Sequence, residues 1–414
     1  MNEGTYKFPK YWRWVRLGEV CTLIESGFAF RKKGAPEGDL LHLRPYNIAE
    51  DGTLDLSQRF YVPSSLRSAR HKFLQPGDVL FNNTNSVELV GKTALVREPL
   101  EAAFSNHITL LRPDTTKAEG AWIALVLLAL WHQGFFANLC NKWIGQAGIN
   151  TETLRSVLIP LPPLEEQRRI VARVEELMSR IREAKRLRQE AKEEAERLWQ
   201  SILSETFPKP GTELPAGWQW VKLGEVAKIY AGSPAPQGEQ YFREGKWPFV
   251  RVQDLGRYGQ TTCLKETADY VNEYALQKYR LRLAKAGTIL FPKSGAAILT
   301  NSRAILGVDA YIVSHLAAIE PLPDRLDTYW AYFWLCTVDM KEFIDNPSYP
   351  SLRLSEISKL IIPLPPLAEQ RRIVAYLQDV QEKIRALKEV QAQTETELKR
   401  LEQAILDKAF RGEL

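Results

Sequence analysis

The longest regular pattern of apolar and polar residues in this chain is a heptad repeat that occurs twice. Apolar side chains return every three or four residues from Ile170 onward, and the same pattern begins again at Ile373. A helix with a seam of this spacing buries it against a second helix. We therefore predict two long helices that pair within the chain as an antiparallel coiled coil. The predicted seam residues are Ile170, Val174, Leu177, Ile181, Leu198, Ile202, Ile373, Leu377, Val380, Ile384, Leu387, Leu398, Leu401 and Ile405.

A polar residue interrupts both seams at the same place in the repeat. Arg188 stands in the first seam and Gln391 in the second. A buried polar layer can fix the register of paired helices while lowering their stability, although an arginine can also extend its charged end to solvent. We predict that this pair sets the register.

Each heptad segment follows a nearly identical phrase. IPLPPLEEQRRIVA occupies residues 159–172 and IPLPPLAEQRRIVA occupies residues 362–375, with one difference in fourteen positions. The prolines fix φ and exclude regular helix until the last of them, which stands where a helix can begin. The phrase is therefore predicted to start both long helices.

The repetition extends to the segments before these helices. The pattern PxxWxW followed by VRLGEV at residues 15–20 recurs with VKLGEV at residues 221–226. Strand-like runs LRPYNI and PGDVLF recur as VRVQDL and AGTILF, and an aromatic, apolar segment predicted to be a buried helix follows in each copy. The predicted fold is α+β. Two globular parts of mixed α/β structure with short strands are each followed by a long helix, in a pseudo-two-fold internal repeat.

The composition is that of a globular protein without a membrane span. The chain has 414 residues, of which 45% are hydrophobic and 25% charged. Its longest apolar run, residues 121–131, is shorter than the roughly 18 residues that a spanning helix requires. The N-terminus also lacks an apolar signal region. We expect a cytoplasmic protein with no membrane contact.

The charge distribution indicates which segments would contact phosphate. The formal net charge is +5. Residues 165–205 carry ten basic and ten acidic side chains, and residues 367–414 carry nine of each. The whole basic excess therefore falls in the globular parts, and a polyanionic partner would meet it there.

Patterns that suggest catalysis fail on inspection. GKT at residues 91–93 resembles the end of a phosphate-binding loop, but the position of its first glycine is Ser86. NPSY at residues 346–349 resembles the Asn-Pro-Pro-aromatic motif of adenine methyltransferases, but Ser348 replaces the second proline and no glycine-rich cofactor loop precedes it. The four cysteines lack CxxC spacing, and the carboxylates suggest no nuclease metal site. We predict a noncatalytic chain that binds no metal or cofactor.

Together these features resemble the specificity subunits of type I restriction-modification systems. The marks are PxxWxWVxLGEV at the entry to each half, IPLPPLxEQRRIV used twice, the helix after each, and the closing AFRGEL at residues 409–414. The resemblance implies target recognition domains at residues 1–160 and 208–363, each reading one half of a split, asymmetric DNA site. Spacer helices would occupy residues 161–207 and 364–414.

The resemblance also implies partners. The helices would dock two modification subunits, which methylate adenine in double-stranded DNA, and restriction subunits would join them. About 40 helical residues span roughly 60 Å, or about 18 base pairs, so the helices could set the spacing of two half-sites. The rival interpretation is a coiled-coil adaptor that assembles partners without reading sequence. Salt-dependent but sequence-indifferent DNA binding would favour this rival.

Candidate DNA contacts lie in loops that differ between the two copies. Basic side chains there suit phosphate, and amide, hydroxyl and arginine groups suit base edges. Solvated loops, structural turns and packing against the long helices are the competing interpretations. His107 and His315 occupy equivalent places and are interpreted as structural. The candidates are Arg31, Lys32, Lys33, Arg44, Tyr46, Asn47, Asn83, Asn85, Lys142, Gln146, Arg251, Gln253, Asp254, Lys293, Ser294, Tyr349 and Arg353.

Overall fold

The computed structural model of the chain describes residues 9–30, 38–66, 73–257, 263–344, 346 and 350–414. Its contacts divide into two units, and the division runs through both long helices. Unit 1 comprises residues 1–187 and 393–414, and unit 2 comprises residues 188–392. Each unit holds one globular part of mixed strands and helices, which confirms the predicted fold class.

The first globular part and the helix after it contain twelve strands and four helices within the described residues. The strands are β1 (Arg13–Arg16), β2 (Cys21–Ser26), β3 (Leu40–Leu43), β4 (Tyr61–Val62), β5 (Val79–Asn82), β6 (Thr84–Asn85), β7 (Thr93–Leu95), β8 (Ala102–Phe104), β9 (Ile108–Pro113), β10 (Asn141–Trp143), β11 (Gln146–Gly148) and β12 (Leu158–Leu161). The helices are α1 (Gly120–His132), α2 (Phe135–Leu139), α3 (Thr151–Ser156) and the long helix α4 (Leu164–Thr206).

The second globular part follows the same plan. Its strands are β13 (Gln219–Lys222), β14 (Ala227–Ala231), β15 (Trp247–Val250), β16 (Cys263–Leu264), β17 (Asp269–Val271), β18 (Leu283–Ala284), β19 (Ile289–Pro292), β20 (Ala304–Leu306), β21 (Ala310–Ile312), β22 (Leu316–Pro321) and β23 (Ile361–Leu364). Its helices are α5 (Leu223–Val226), α6 (Asp254–Arg257), α7 (Glu273–Tyr279), α8 (Thr328–Thr337), α9 (Leu354–Lys359) and the second long helix, α10 (Leu367–Arg411).

Two sheets and one two-stranded pair of unit 1 have counterparts in unit 2. In unit 1 the strand orders are β2-β9-β5-β7, β4-β3-β8 and β10-β11-β6, and β1 pairs with β12. In unit 2 they are β14-β22-β19-β20-β16 and β17-β15-β21-β18, and β13 pairs with β23. The last pair in each unit ties the tryptophan entry to the proline run, with Trp14 opposite Pro160 and Trp220 opposite Pro363. Two phrases that are far apart in the sequence of each half, and that recur in the other half, are thus hydrogen-bonded to each other.

Each apolar helix packs beneath its proline run. Trp122 of α1 and Trp330 of α8 are fully buried. The indole N–H of Trp122 donates to the carbonyl of Pro160 at 2.9 Å, and that of Trp330 donates to the carbonyl of Pro363 at 3.0 Å. A buried indole needs such an acceptor. The pairing explains why a tryptophan and a proline recur together in both halves.

A buried glutamine explains the letters after the prolines. Gln167, in the first turn of α4, accepts a hydrogen bond from the backbone N–H of Glu119 at 2.9 Å and donates to the carbonyl of Pro162 at 2.8 Å. In unit 2, Gln370 accepts from Asp327 N–H at 2.8 Å and donates to the carbonyl of Pro365 at 2.9 Å. Both side chains are wholly buried. The repeated phrase therefore joins the start of each long helix to the apolar helix of its unit.

Within each unit the two long helices pair antiparallel. In unit 1, Lys185 of α4 forms an ion pair with Glu402 of α10 at 2.7 Å, and Arg169 donates to the carbonyl of Leu414. In unit 2, Glu196 of α4 pairs with Lys388 of α10 at 2.7 Å, and Arg188 of α4 donates to the backbone carbonyl of Gln391 of α10. In each unit, therefore, residue numbers fall along α10 as they rise along α4, as predicted.

The apolar seam departs from strict heptads near the helix ends. Leu198 and Leu401 lie four heptads beyond Ile170 and Ile373, and both are about half exposed. The next residue takes the inward place in each helix, because Trp199 packs on Phe333 at 5.7 Å and Glu402 pairs with Lys185. A straight α-helix drifts roughly 20° per heptad, so four heptads displace the seam by nearly one residue.

The other predicted seam positions are mostly enclosed, with one further exception. Leu387 is 41% exposed. Ile170, Val174, Ile181, Leu377 and Ile405 are buried, whereas Leu177, Ile202, Ile373, Val380, Ile384 and Leu398 are half-buried.

The polar seam pair is in contact. Arg188 and Gln391 both lie in unit 2, and the Arg188 guanidinium donates to the backbone carbonyl of Gln391. The Nε of Arg188 is buried without a hydrogen-bond partner among the described residues. Contact is made by side chain to backbone rather than between the two side chains.

Candidate nucleic-acid interface

Three backbone hydrogen bonds hold the candidate loops of unit 1 together. Ser105 N–H donates to Leu43 O at 2.9 Å, next to the Arg44 turn. Asn83 N–H donates to His107 O at 3.0 Å, and Ile149 N–H donates to Asn83 O at 2.8 Å. Segments that are far apart in sequence, around residues 44, 83, 107 and 149, therefore form one continuous surface.

The same three bonds occur in unit 2. Val313 N–H donates to Val250 O at 3.1 Å, Lys293 N–H donates to His315 O at 2.9 Å, and Leu352 N–H donates to Lys293 O at 2.8 Å. The backbone frame is thus duplicated, whereas most of the side chains attached to it differ. A repeated frame with different side chains can recognise two different partners.

Asn47 and Asp254 are committed to their own turns. The Asn47 side chain accepts from Arg44 N–H at 2.8 Å and donates to the carbonyls of Asp55 and Gln58, and it is 1% exposed. Asp254, also 1% exposed, accepts from Arg251 N–H at 2.7 Å. For this pair the structural alternative accounts for the residue type, because a buried side chain that is hydrogen-bonded within its own turn cannot reach a base.

The two arginines of these turns are partly enclosed. Arg44 lies over the Phe60 ring at 4.3 Å and donates to Phe30 O at 3.1 Å. Arg251 pairs with Asp269. Burial lowers the pKa of the Arg44 guanidinium. The exposed side chains of the turns are instead Tyr46, which directly precedes Asn47, and Gln253, which directly precedes Asp254.

The polar loops after β5 and β19 supply one buried and several accessible groups. Asn83 is 5% exposed and its amide donates to Thr109 Oγ1 at 2.8 Å and to Asn106 O at 3.1 Å, so it stabilises the loop. Asn85 is half-buried and accepts from Ser86 N–H at 2.9 Å. In unit 2, Lys293 and Ser294 are half-buried.

The histidines that sequence reasoning interpreted as structural sit inside this surface. Ser294 Oγ is 2.6 Å from Nδ1 of the exposed His315. His107 is half-buried, and its pKa is lowered by burial and by the positive charge of Arg44. This effect on the pKa is a consequence of the short distance between the Arg44 turn and the His107 turn. Each histidine stands three residues after the end of its strand, β8 or β21, and this shared place in the repeat was the sequence signal that they belong to the surface.

The β10–β11 hairpin completes the surface of unit 1. Lys142 and Gln146 are exposed on it, and β11 pairs with β6 so that Ala147 lies opposite Asn85. Sequence reasoning missed Trp143 and Ile144 between them, which are 60% and fully exposed. Two large apolar residues directly before a turn glycine in an otherwise polar segment were the available signal.

The remaining candidates divide into one exposed residue and several outside the described residues. Arg353 is exposed at the start of α9. Arg31, Lys32, Lys33 and Tyr349 lie outside the described residues.

No group of histidine, cysteine or carboxylate side chains among the described residues could hold a metal ion. Among the same residues, no helix is both long enough and apolar enough to cross a bilayer.

Comparison with known proteins identifies the family. Residues 9–193 and 215–396 match the family described as the Type I restriction modification DNA specificity domain, once for each half of the chain. The chain belongs to the type I restriction-modification DNA specificity family. Members of this family supply sequence specificity, and catalysis belongs to other subunits of the complex.

Individual relatives agree with the family match. The MjaIX specificity subunit of Methanocaldococcus jannaschii is 30% identical over 276 residues, a match that covers 63% of this chain and 62% of that subunit. The HsdS subunit of Thermoanaerobacter tengcongensis is 34% identical over the full length of both chains, with a TM-score of 0.62. A second solved structure comes from work on complex assembly and conformational transition of the type I R-M system. Its chain is 33% identical to this one, with a TM-score of 0.77, and the match covers 99% of this chain and all of that one.

Proposed function

We propose that this chain is a cytoplasmic specificity subunit that reads a two-part, asymmetric sequence in double-stranded DNA. Unit 1 would read one half-site and unit 2 the other. The candidate readers are the accessible side chains on the duplicated frame, which supply phosphate contacts and hydrogen bonds to base edges. They are Arg44, Tyr46, Asn85, Lys142, Gln146, Arg251, Gln253, Lys293, Ser294 and Arg353. Arg31, Lys32, Lys33 and Tyr349 remain candidates from the sequence.

The observation that carries this proposal is the pairing of one backbone frame with two sets of side chains. The equivalent places in the two turns hold Tyr46 in unit 1 and Gln253 in unit 2, and both side chains are exposed. Because base recognition depends on the side chains presented to the groove, the two units would prefer different base pairs. A frame without readout would not require exposed, differing polar side chains at its centre.

The long helices would dock two modification subunits, and restriction subunits would join that complex. Exposed apolar residues recur at equivalent places in the repeat, Leu187 with Val390 and Leu198 with Leu401. Single exposed apolar side chains are common on protein surfaces, so the support comes from their recurrence at matching places of the two helices. Their presence in both copies of the repeat supports two copies of one partner.

The stoichiometry can be tested by native mass spectrometry of the co-purified complex. We expect two modification subunits per chain, one after Leu187→Asp or Val390→Asp alone, and none when both are changed, because a buried charge disrupts an apolar contact. Gln200→Asp, at an exposed polar position of α4, is the control and should retain both. Two retained copies in either single variant would contradict the docking assignment.

Modified-base sequencing of host DNA tests the reading function. Host DNA is compared with and without this chain, with its modification subunit present and active in both. We expect a two-part methylated motif that disappears on deletion of the chain. An unchanged methylome would instead support the rival adaptor, which assembles partners without sequence readout.

A further inference from the structure

The tip of the β10–β11 hairpin combines exposure of apolar side chains with a rigid backbone. Trp143 and Gln146 are paired, so only Ile144 and Gly145 form the loop. Gly145 has a φ of 78°, which glycine adopts without strain and which allows a two-residue turn. Ile144 at the apex is fully exposed, and Trp143 beside it is 60% exposed. The apolar tip is therefore narrow and projects into solvent.

The rest of the unit holds this tip in place. Beyond the turn, Gly148 pairs with Thr84 of β6, which makes the hairpin part of a three-stranded sheet. The Trp143 ring lies across the same glycine, since a Cβ added to Gly148 would be 3.0 Å from Trp143 Cζ3. A larger residue at position 148 would displace the ring. The tip is thus preorganised, and little conformational entropy would be lost when it binds.

The surroundings of the tip indicate what it meets. Lys142 is the sole charged residue between positions 133 and 151. Asn85 pairs with Ala147 of β11, and the backbone of Asn83 is bonded to His107, so the hairpin continues the candidate DNA interface. A cation next to apolar side chains, without a carboxylate in the segment, suits a polyanion that contains a stack of apolar bases.

We propose that Ile144 enters the half-site of unit 1 as a wedge between two stacked base pairs, with Trp143 covering the base face that the wedge exposes. This inference rests on the proposed reading function. Aliphatic wedges of this kind partly unstack a step and kink the duplex, and pyrimidine–purine steps yield most easily. Unit 1 thereby selects a deformable step through its stacking, in addition to positions read by hydrogen bonds.

The test uses the complete complex with its modification subunits and a duplex carrying the methylated motif. 2-Aminopurine replaces each purine of the half-site in turn, apart from the methylated adenine. We expect one step at which binding increases the fluorescence. Ile144→Ala should remove that increase and weaken binding about tenfold, the effect of one lost base contact. Ile144→Leu should retain both. Leu158→Ala, which removes an exposed apolar side chain from β12 of the same unit, is the matched control and should change neither.

Several results would overturn the wedge. If the complex binds its site specifically but 2-aminopurine fluorescence increases at no step, the wedge is excluded and the reading function stands. Loss of affinity on replacing a thymine by uracil, again without a bright step, indicates a methyl contact instead. Loss of the modification subunit from Ile144→Ala, with DNA affinity unchanged, indicates a protein contact. Wild-type complex that lacks sequence preference altogether refutes the proposed function itself.

Discussion

Single residues of the Arg44 turn have separable roles, although they are adjacent in the sequence. Asn47 is buried with three hydrogen bonds to the backbone, whereas Tyr46 is 48% exposed. We expect Asn47→Ala to lower the free energy of unfolding by about 2 kcal/mol, because it leaves buried backbone groups unpaired. Tyr46→Ala should change it by less than about 0.5 kcal/mol and should weaken specific DNA binding about tenfold.

Chemical unfolding and DNA titration of the same two variants distinguish these roles. A fully stable Asn47→Ala that loses only DNA affinity would show that the amide reads DNA. The corresponding pair in unit 2, Asp254→Ala and Gln253→Ala, repeats the comparison independently.

At this scale the sequence predicted positions better than it predicted roles. The turn containing Asn47 was recognisable, and its asparagine was compatible with either a structural or a reading role. Only the structure shows that the Asn47 amide points inward to Asp55 O and Gln58 O. Conversely, the exposure of Ile144 is not predictable from the sequence, because an apolar residue is expected to be buried and a hairpin apex is defined by its strand pairing rather than by its composition.

Among the elements, the start of each long helix depends on one buried amide. Gln167→Glu keeps the size of the side chain but replaces the amide that donates to Pro162 O with a carboxylate. We expect a loss of about 3 kcal/mol in the free energy of unfolding, because a buried charge then faces a carbonyl. Differential scanning calorimetry measures it, with Gln200→Glu at an exposed position of α4 as the control.

The equivalent substitution in unit 2 tests whether the two glutamines contribute equally to the free energy of unfolding, as their equivalent hydrogen bonds predict. Gln370 makes the same bonds to Asp327 N–H and Pro365 O, so Gln370→Glu should destabilise by a similar amount. A loss below about 1 kcal/mol in either variant would show that the glutamine is not what joins helix and domain.

The polar pair in the seam, Arg188 and Gln391, should lower the stability of the paired helices while fixing their register. Replacing both Arg188 and Gln391 by Leu should raise the melting temperature, because a guanidinium with a buried, unbonded Nε is exchanged for an apolar contact. Thermal unfolding followed by circular dichroism measures the change. A lower melting temperature would refute the register interpretation.

Long elements were predictable because their signal accumulates over many residues. The heptads located both long helices, and their antiparallel pairing followed from the presence of both in one chain. The seam failed at Leu198 and Leu401, where an ideal heptad and the 3.6-residue period of the α-helix have diverged by nearly one residue. The short strands of the interface were predicted only where a repeated phrase marked them.

For the whole molecule, the internal duplication keeps the contacts that fix the backbone the same in both units, while the exposed side chains differ. The glutamine, tryptophan and proline contacts recur in both units and fix the backbone, so the side chains on that backbone can vary without loss of the fold. One frame can therefore present two surfaces to an asymmetric sequence, which a strictly symmetric dimer could not read as two different half-sites.

We expect the spacing between the proposed half-sites to depend on the length of the long helices. Inserting one heptad in the middle of both α4 and α10 adds about 10 Å of helix, equivalent to roughly three base pairs. A heptad preserves the apolar seam, so we expect the complex to assemble and both half-sites to be retained with a longer spacer. Modified-base sequencing gives the new motif directly. A four-residue insertion shifts the seam and serves as the mismatched comparison. If the spacer stays fixed in an assembled, active heptad variant, the helices do not set the distance and the reading units must be positioned by their partners.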